Sequence, residues 1–363
     1  MKALRRSHTG TLSLTETVVA CSVNNLANDE LLVIVAVASV NPADIKAGGS
    51  TPYSTGLDGA GLVIGVGGDD DTNLLGKRVT WHGPLREMRQ GRPEYGSFGE
   101  YALVKKSATV EIPEAMSFEV AATLPCPGGT ATQVVDGLRN AIRDGGKKQA
   151  VFVQGAQGSV ASIVVQLLKI RYPELLVIGS ANPKVVQECS SDPTSIFHPI
   201  AYGEKELAEL ARVQASTGRA LVGIVDSQGD TAQRNYDYLR DGGARQSVLV
   251  TVLSGPENLS QQGPTIYTIA LGGAYDVAAN RDAPHTISTY QGVKNPIASM
   301  ADAYQEVINL VTQGRIEPPA PQRVDLHTIA AIVNGEEPLR GKSVVRFRTD
   351  EEIAIKRAQL QRM

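Results

Sequence analysis

Cysteine is scarce. The 363 residues hold 3, Cys21, Cys126 and Cys189. An odd, widely spaced set implies no disulfide framework and suits a reducing compartment. No apolar run reaches the roughly 18 residues that a membrane helix needs. The basic start Met1-Lys2-Ala3-Leu4-Arg5-Arg6 is not followed by the apolar core of an export signal, so the cytoplasm is the expected location. A surplus of one charge is also missing. The net charge of -3 excludes a general nucleic-acid or anionic-membrane surface and leaves small molecules as the expected partners. Of the 5 histidines, His8, His82, His198, His285 and His327, none has metal-pair spacing and none follows a nucleophile motif. Each reads as structural. There is no Gly-x-Ser-x-Gly elbow and no P-loop lysine.

What is present suits two domains. Hydrophobic residues make up 42% and charged residues 20%, in a chain too long for one ordinary core. The first third reads as β-rich, with strands expected at 31–40, 59–67, 77–81, 96–104 and 109–112. The loop at 84–95 carries Arg86, Arg89 and Arg92, either solvated or placed to hold an anionic substrate tail. Ser117 is a candidate N-cap for a helix over 118–124, and a second helix is expected over 130–140. Strands at 149–154, 175–179, 220–225 and 247–253 then alternate with helices at 159–171, 183–189, 204–216 and 233–239. Such alternation predicts a parallel sheet covered on both faces. A helix over 299–314, a shorter one over 328–333 and a closing strand over 342–347 complete the chain.

The stretch 150–161 reads strand, glycine turn, helix. Gly155 permits a sharp turn, Gly158 lets backbone N–H groups approach a pyrophosphate, and Ala161 allows close helix packing. Gln157, Ser159 and Val160 complete the turn, where the helix N-terminus offers partial positive charge to phosphates. With its required strand before it and helix after it, the motif predicts a dinucleotide site. The next strand bears on which dinucleotide. NAD sites place an acid near its tip to bond the ribose 2′-hydroxyl. Here the tip is Ser180-Ala181-Asn182-Pro183-Lys184. Ser180 and Asn182 can bond a phosphate and Lys184 can neutralise it, so NADPH is the expected cofactor. The alternative for Lys184 is an exposed helix lysine.

The order of parts resembles the medium-chain dehydrogenase/reductase superfamily, and within it the zinc-free quinone oxidoreductase and enoyl reductase branch. The resemblance rests on Val40-Asn41-Pro42-Ala43-Asp44, Gly56-Leu57-Asp58-Gly59-Ala60-Gly61, Gly96-Ser97-Phe98-Gly99-Glu100-Tyr101, 121–130, 155–161 and Leu339-Arg340-Gly341-Lys342-Ser343-Val344-Val345. It implies an α/β fold in which a Rossmann doubly wound parallel sheet is inserted in a GroES-like, twisted, β-rich catalytic domain. The expected boundaries are 1–122 with 290–363 for the GroES-like domain and 123–289 for the NADP(H)-binding domain. The family's assemblies include monomers, dimers and tetramers, and a homodimer is among the states expected.

The zinc enzymes of that superfamily place cysteine where this chain has Asn41, and His-Glu where it has Leu57-Asp58. Their third ligand matches Cys126. One thiol and one carboxylate fall short of the usual three protein ligands, so no metal is expected and Cys126 reads as a small buried hydrophobe. Without a Lewis acid, hydride addition to an already activated acceptor is the easier chemistry. Quinones, enones and enoyl thioesters spread the developing charge and need only orientation and hydrogen-bond donors. The resemblance implies Asn41, Lys46 and Tyr53 as candidate catalytic residues, with Lys46 as a donor to the carbonyl or else a surface lysine. It implies Thr130, Leu271, Gly272 and Lys342 near the cofactor, while Asp226 can cap a turn over it. The leading function is an NADPH-dependent, zinc-independent reductase of a quinone or enone. The alternatives are an enoyl-thioester reductase and a redox-silent NADPH-binding protein.

Overall fold

The computed structural model describes residues 2–7, 10–16, 25–46, 56–68, 72–83, 95–190, 192, 195–228, 231–242, 247–252, 264–269 and 300–362. Tyr53, Leu271, Gly272, Arg86, Arg89 and Arg92 lie outside these residues. The chain divides into two compact units, Met1–Gly129 with Ser299–Met363, and Thr130–Ala298.

The first unit opens with an antiparallel pair, β1 (Lys2–Arg6) and β2 (Leu12–Glu16). The long strand β3 (Glu30–Ser39) is buried along its whole length. A single turn of helix, α1 (Pro42–Lys46), follows with proline at its first position, where the missing N–H costs nothing. Strands β4 (Asp58–Val66), β5 (Arg78–His82), β6 (Tyr101–Lys105) and β7 (Thr109–Glu111) then build an antiparallel sheet around β3. Helix α2 (Phe118–Ala122) is capped by Ser117, whose side chain accepts from the Val120 N–H. Helix α3 runs over Pro125–Leu138. It starts five residues before the expected 130 and takes in Gly128 and Gly129. Their role is close approach: a Cβ on Gly129 would sit 2.5 Å from the Met300 side chain, and one on Gly128 3.3 Å from Val307.

The second unit holds the six strands β8 (Gln149–Val153), β9 (Leu176–Ala181), β10 (His198–Ala201), β11 (Ala220–Asp226), β12 (Val248–Val252) and β13 (Thr265–Ile269). All neighbouring pairs are parallel, in the order β10-β9-β8-β11-β12-β13. Counted from β8, this is 3-2-1-4-5-6, whose switch point falls between the first and fourth strands. The helices are α4 (Ser159–Arg171), α5 (Pro183–Ser190), α6 (Glu206–Thr217) and α7 (Ala232–Asp241). Phe152, Ile178, Ile224 and Leu249 from four adjacent strands share one core cluster with Tyr236 and Leu239 of α7. The expected alternation is found, with the short strand β10 added between α5 and α6.

The chain then returns to the first unit. Helix α8 (Met300–Thr312) buries Met300, Tyr304, Val307 and Leu310. Strand β14 (Pro321–Arg323), helix α9 (Leu326–Asn334), strand β15 (Lys342–Arg346) and helix α10 (Asp350–Leu360) follow. Helix α10 was missed by the sequence reading, although Thr349 and Glu352 form a complete capping box at its start. β15 pairs with the 37–39 end of β3, while β6 pairs with its 30–34 end.

The Gly-Ala-Gly of β4 has a steric cause. A Cβ on Gly61 would lie 2.0 Å from the carbonyl oxygen of Ile34, and one on Gly59 2.3 Å from the Trp81 ring. A backbone carbonyl in a paired strand cannot move aside. Gly61→Ala is expected to cost roughly 1–3 kcal/mol through overpacking. Urea unfolding checks this as a lower midpoint at unchanged slope.

Candidate active site

In the first unit, a buried polar cluster gathers at the ends of three strands. Asp58 starts β4 and His82 ends β5, and the register sets them directly opposite. His82 Nδ1 pairs with Asp58 Oδ1 at 2.8 Å. The other oxygen, Oδ2, accepts from Asn41 Nδ2 at 3.0 Å and from the backbone N–H of Cys126 at 3.0 Å. Cys126 is the second residue of α3, so Asp58 also supplies negative charge to that helix N-terminus. Lys342, the first residue of β15, donates to Asn41 Oδ1 at 2.5 Å and to the Val40 carbonyl at 3.3 Å. Its ammonium lies 3.9 Å from Asp58 Oδ2. Asp58, His82, Asn41, Cys126 and Lys342 are all buried.

A second carboxyl shapes the loop beside them. Asp44 accepts from the Asn41 N–H at 2.7 Å and the Leu57 N–H at 3.0 Å, and so fixes both loops that flank the cluster. Burial pushes its pKa up from 3.8 to about 7, opposed by the Asn41 N–H, Lys342 and the Leu57 N–H and reinforced by the charge of Asp58.

In the second unit, the turn after β8 lies at the switch point. Gly155 has φ +60, the left-handed region that favours glycine. Its N–H donates to Ser180 Oγ at 3.0 Å, and the Ala156 N–H to the Ser180 carbonyl at 2.8 Å. Ser180 is wholly buried, so its hydroxyl shapes the turn. Helix α4 begins at Ser159 behind Gly158, with no side chain capping it. Its first N–H groups are therefore directed at a ligand or water. Beneath the turn, Gln154 Oε1 accepts from Thr231 Oγ1 at 2.8 Å and Asn235 Nδ2 at 2.6 Å, and its amide donates to Glu206 at 2.8 Å. Asp226 accepts from the Gln228 N–H at 2.9 Å and Thr231 Oγ1 at 3.0 Å, which organises the turn after β11.

Asn182 caps α5 by accepting from the Val185 N–H at 3.1 Å, and its amide donates to Gln157 at 3.1 Å. Lys184 is 84% exposed, and its ion pair with Glu188 spans 3.9 Å, which is worth little. Thr130 is buried one turn beyond Cys126 on α3.

The structure thus brings Asn41 and Lys342 together, and Gly155 with Ser180, and Gln157 with Asn182. The backbone of Lys46 ends α1. The structure also sets His82, expected to be structural, beside two further possible metal ligands. Asp58, His82 and Cys126 offer ligand atoms within 4.8 Å of one another, so three donors converge where linear spacing suggested two. His82 was invisible because its partner is fixed by strand register, 24 residues away. Tyr202 follows β10, is exposed, and its hydroxyl donates to Gln228 at 2.6 Å. Gln228 itself stands beside Gly155, 2.9 Å from where a Cβ there would lie.

The Asp44 shift gives a signed expectation. Between about pH 4 and about 7 the folded chain keeps a proton that the unfolded chain releases, so this group's contribution to stability falls as pH rises through that window. The stability advantage of the wild type over Asp44→Asn should therefore shrink, by roughly 1 kcal/mol or more, from about pH 4.5 to about pH 7.5. Denaturant titrations at both values measure it; a constant difference would contradict the shift.

Comparison with known proteins agrees with this architecture. The alcohol dehydrogenase GroES-like domain matches residues 27–114. The trans-enoyl reductase RAP2 of Pyricularia oryzae is 27% identical over 232 residues, covering 61% of this chain and 63% of that protein. The enoyl reductase component lovC of the lovastatin nonaketide synthase, from Aspergillus terreus, is 31% identical over 167 residues, covering 44% and 46%. The chain thus matches less than two thirds of the length of each of these relatives. The quinone oxidoreductase of Escherichia coli, solved with NADPH, has a TM-score of 0.68 and 19% identity over 96% of this chain and all of that one. No helix among the described residues is long and apolar enough to cross a membrane. A GroES-like segment at 27–114, a 3-2-1-4-5-6 parallel sheet and a fold shared with that quinone oxidoreductase along almost the whole chain support the resemblance to the medium-chain dehydrogenase/reductase superfamily.

Proposed function

We propose that this protein is an NADPH-dependent, zinc-independent reductase that delivers hydride to an activated carbonyl acceptor such as a quinone or enone. The observation that carries this reading is the uncapped N-terminus of α4 behind the left-handed Gly155, at the switch point of the parallel sheet. Such a terminus suits a pyrophosphate. Backbone N–H groups at 159 and 160 would hold it, and the Gln154 and Asp226 networks support the two flanking turns. NADPH over NADH is supported by the tip of β9, which offers Asn182 and the exposed Lys184 and no acid. An acid there would repel a 2′-phosphate.

When bound, the reduced nicotinamide supplies the hydride. The chain's part is then to orient the acceptor and hold the negative charge that develops on its oxygen. Lys46 is the proposed donor to that oxygen. Asn41 is tied on one side to Asp58 and on the other to Lys342, which fixes its amide plane. The thioester form of this reading, an enoyl-thioester reductase, is supported by the names of the two fungal relatives.

Two experiments test the proposal. Titration of the full chain should show NADPH binding about tenfold or more tighter than NADH, a gap that Lys184→Ala narrows through NADPH alone. Equal affinities would remove the cofactor assignment. An acceptor panel of a quinone, an α,β-unsaturated ketone and an enoyl thioester, run with NADPH deuterated at the transferring carbon, should place deuterium in one product class. Lys46→Met should then lower kcat by about a hundredfold while leaving the NADPH Kd unchanged. NADPH binding without turnover of any acceptor would favour a redox-silent binding protein.

A further inference from the structure

The cluster around Asp58 combines a metal-capable donor set with a resident cation. Asp58, His82 and Cys126 present a carboxylate oxygen, an imidazole nitrogen and a thiol sulfur within 4.8 Å of one another, all buried. That is the three-ligand pattern that a tetrahedral divalent ion accepts, with a fourth position left open. Two of the three are also held in place. His82 is held by strand register, and Cys126 by the start of α3 on Asp58.

A positive charge is already built into the same cluster. The Lys342 ammonium is surrounded by oxygens: Asn41 Oδ1 at 2.5 Å, the Val40 carbonyl at 3.3 Å and Asp58 Oδ2 at 3.9 Å. Lys342 is 3% exposed, so water does little to screen it. It neutralises Asp58, and it would repel a dication bound to the same carboxylate. Its tether is the pairing of β15 with β3, which places the first residue of β15 below Val40 and Asn41.

We propose that Lys342 is a built-in counter-ion that stands in for a metal, and that removing its charge uncovers a divalent transition-metal site on Asp58, His82 and Cys126. With the lysine gone, Asp58 is a buried carboxylate that lacks its cation. A borderline-soft ion can answer that deficit with one oxygen, one nitrogen and one thiolate, and releases the thiol proton to solvent as it binds. This inference is independent of the cofactor reading. It concerns one unit of the chain, and either can fail without the other.

The probe is Co²⁺, added to the chelator-stripped full chain. Tetrahedral thiolate coordination gives visible ligand-field bands and a near-ultraviolet sulfur-to-cobalt band. Lys342→Met is expected to take up about one Co²⁺ per chain with both features, and the wild type to bind at least about tenfold more weakly. Lys342→Arg, which keeps the charge, should behave as the wild type, and Lys342→Met with Cys126→Ser should lose the sulfur band. If Lys342→Met does not give a cooperative thermal melt, Lys342→Gln, which keeps a donor for Asn41, takes its place. Tight Co²⁺ binding with a sulfur band in the wild type would overturn the proposal, and that arm needs no variant to fold. So would the absence of the band from both neutral variants.

Discussion

The first unit depends on one buried carboxylate. Asp58 collects the imidazole of His82, the amide of Asn41 and the Cys126 N–H at the start of α3, with the Lys342 ammonium close by. With Asp58 itself, these groups come from five separate stretches of chain. A charge removed from water is tolerated only when it is paired and hydrogen-bonded, so the demand of this oxygen pair fixes how β4, β5, the loop after β3, α3 and β15 meet. Asp44 repeats the device on a smaller scale. It spends both oxygens on backbone N–H groups, which favour the charged form, but desolvation outweighs them and pushes its pKa up to about 7.

The second unit solves a different problem. Helix α4 starts behind Gly158 with no side-chain cap. Rigidity comes instead from below. Gln154 reaches Thr231, Asn235 and Glu206, and Glu206 in turn holds Arg234 at 2.7 Å. Polar side chains so deeply placed are costly unless satisfied. Here they tie the turn after β8 to the turn after β11.

How much of this could be read from the sequence follows from the range of each interaction. The parallel sheet was legible because strand and helix periods alternate locally, and the glycine turn because its neighbours in sequence are its neighbours in space. The start of α3 was not, since Gly128 and Gly129 are there for α8, which lies some 170 residues on. Strand β10 is four residues long and carries little pattern of its own. Lys342 was read as a cofactor residue and sits within the Asp58 cluster, and His82 was passed over. Both depend on register between distant strands, and a slip of one residue would turn either to the other face. Ser180 is expected to bond a phosphate at the strand tip, but its buried hydroxyl accepts from the Gly155 N–H of the turn that it supports.

The sharing of β3 by β6 and β15 has a consequence in time. Every strand of the parallel sheet is synthesised before β15, while the antiparallel sheet waits for residue 342 to cover the 37–39 end of β3. During that interval the nascent first unit has an open strand edge and an Asp58 without its nearest cation. The contiguous second unit has no such debt, and domains tend to fold as they emerge. The interrupted unit is therefore the late one, and its exposed edge is where a stalled or truncated chain would seek another strand.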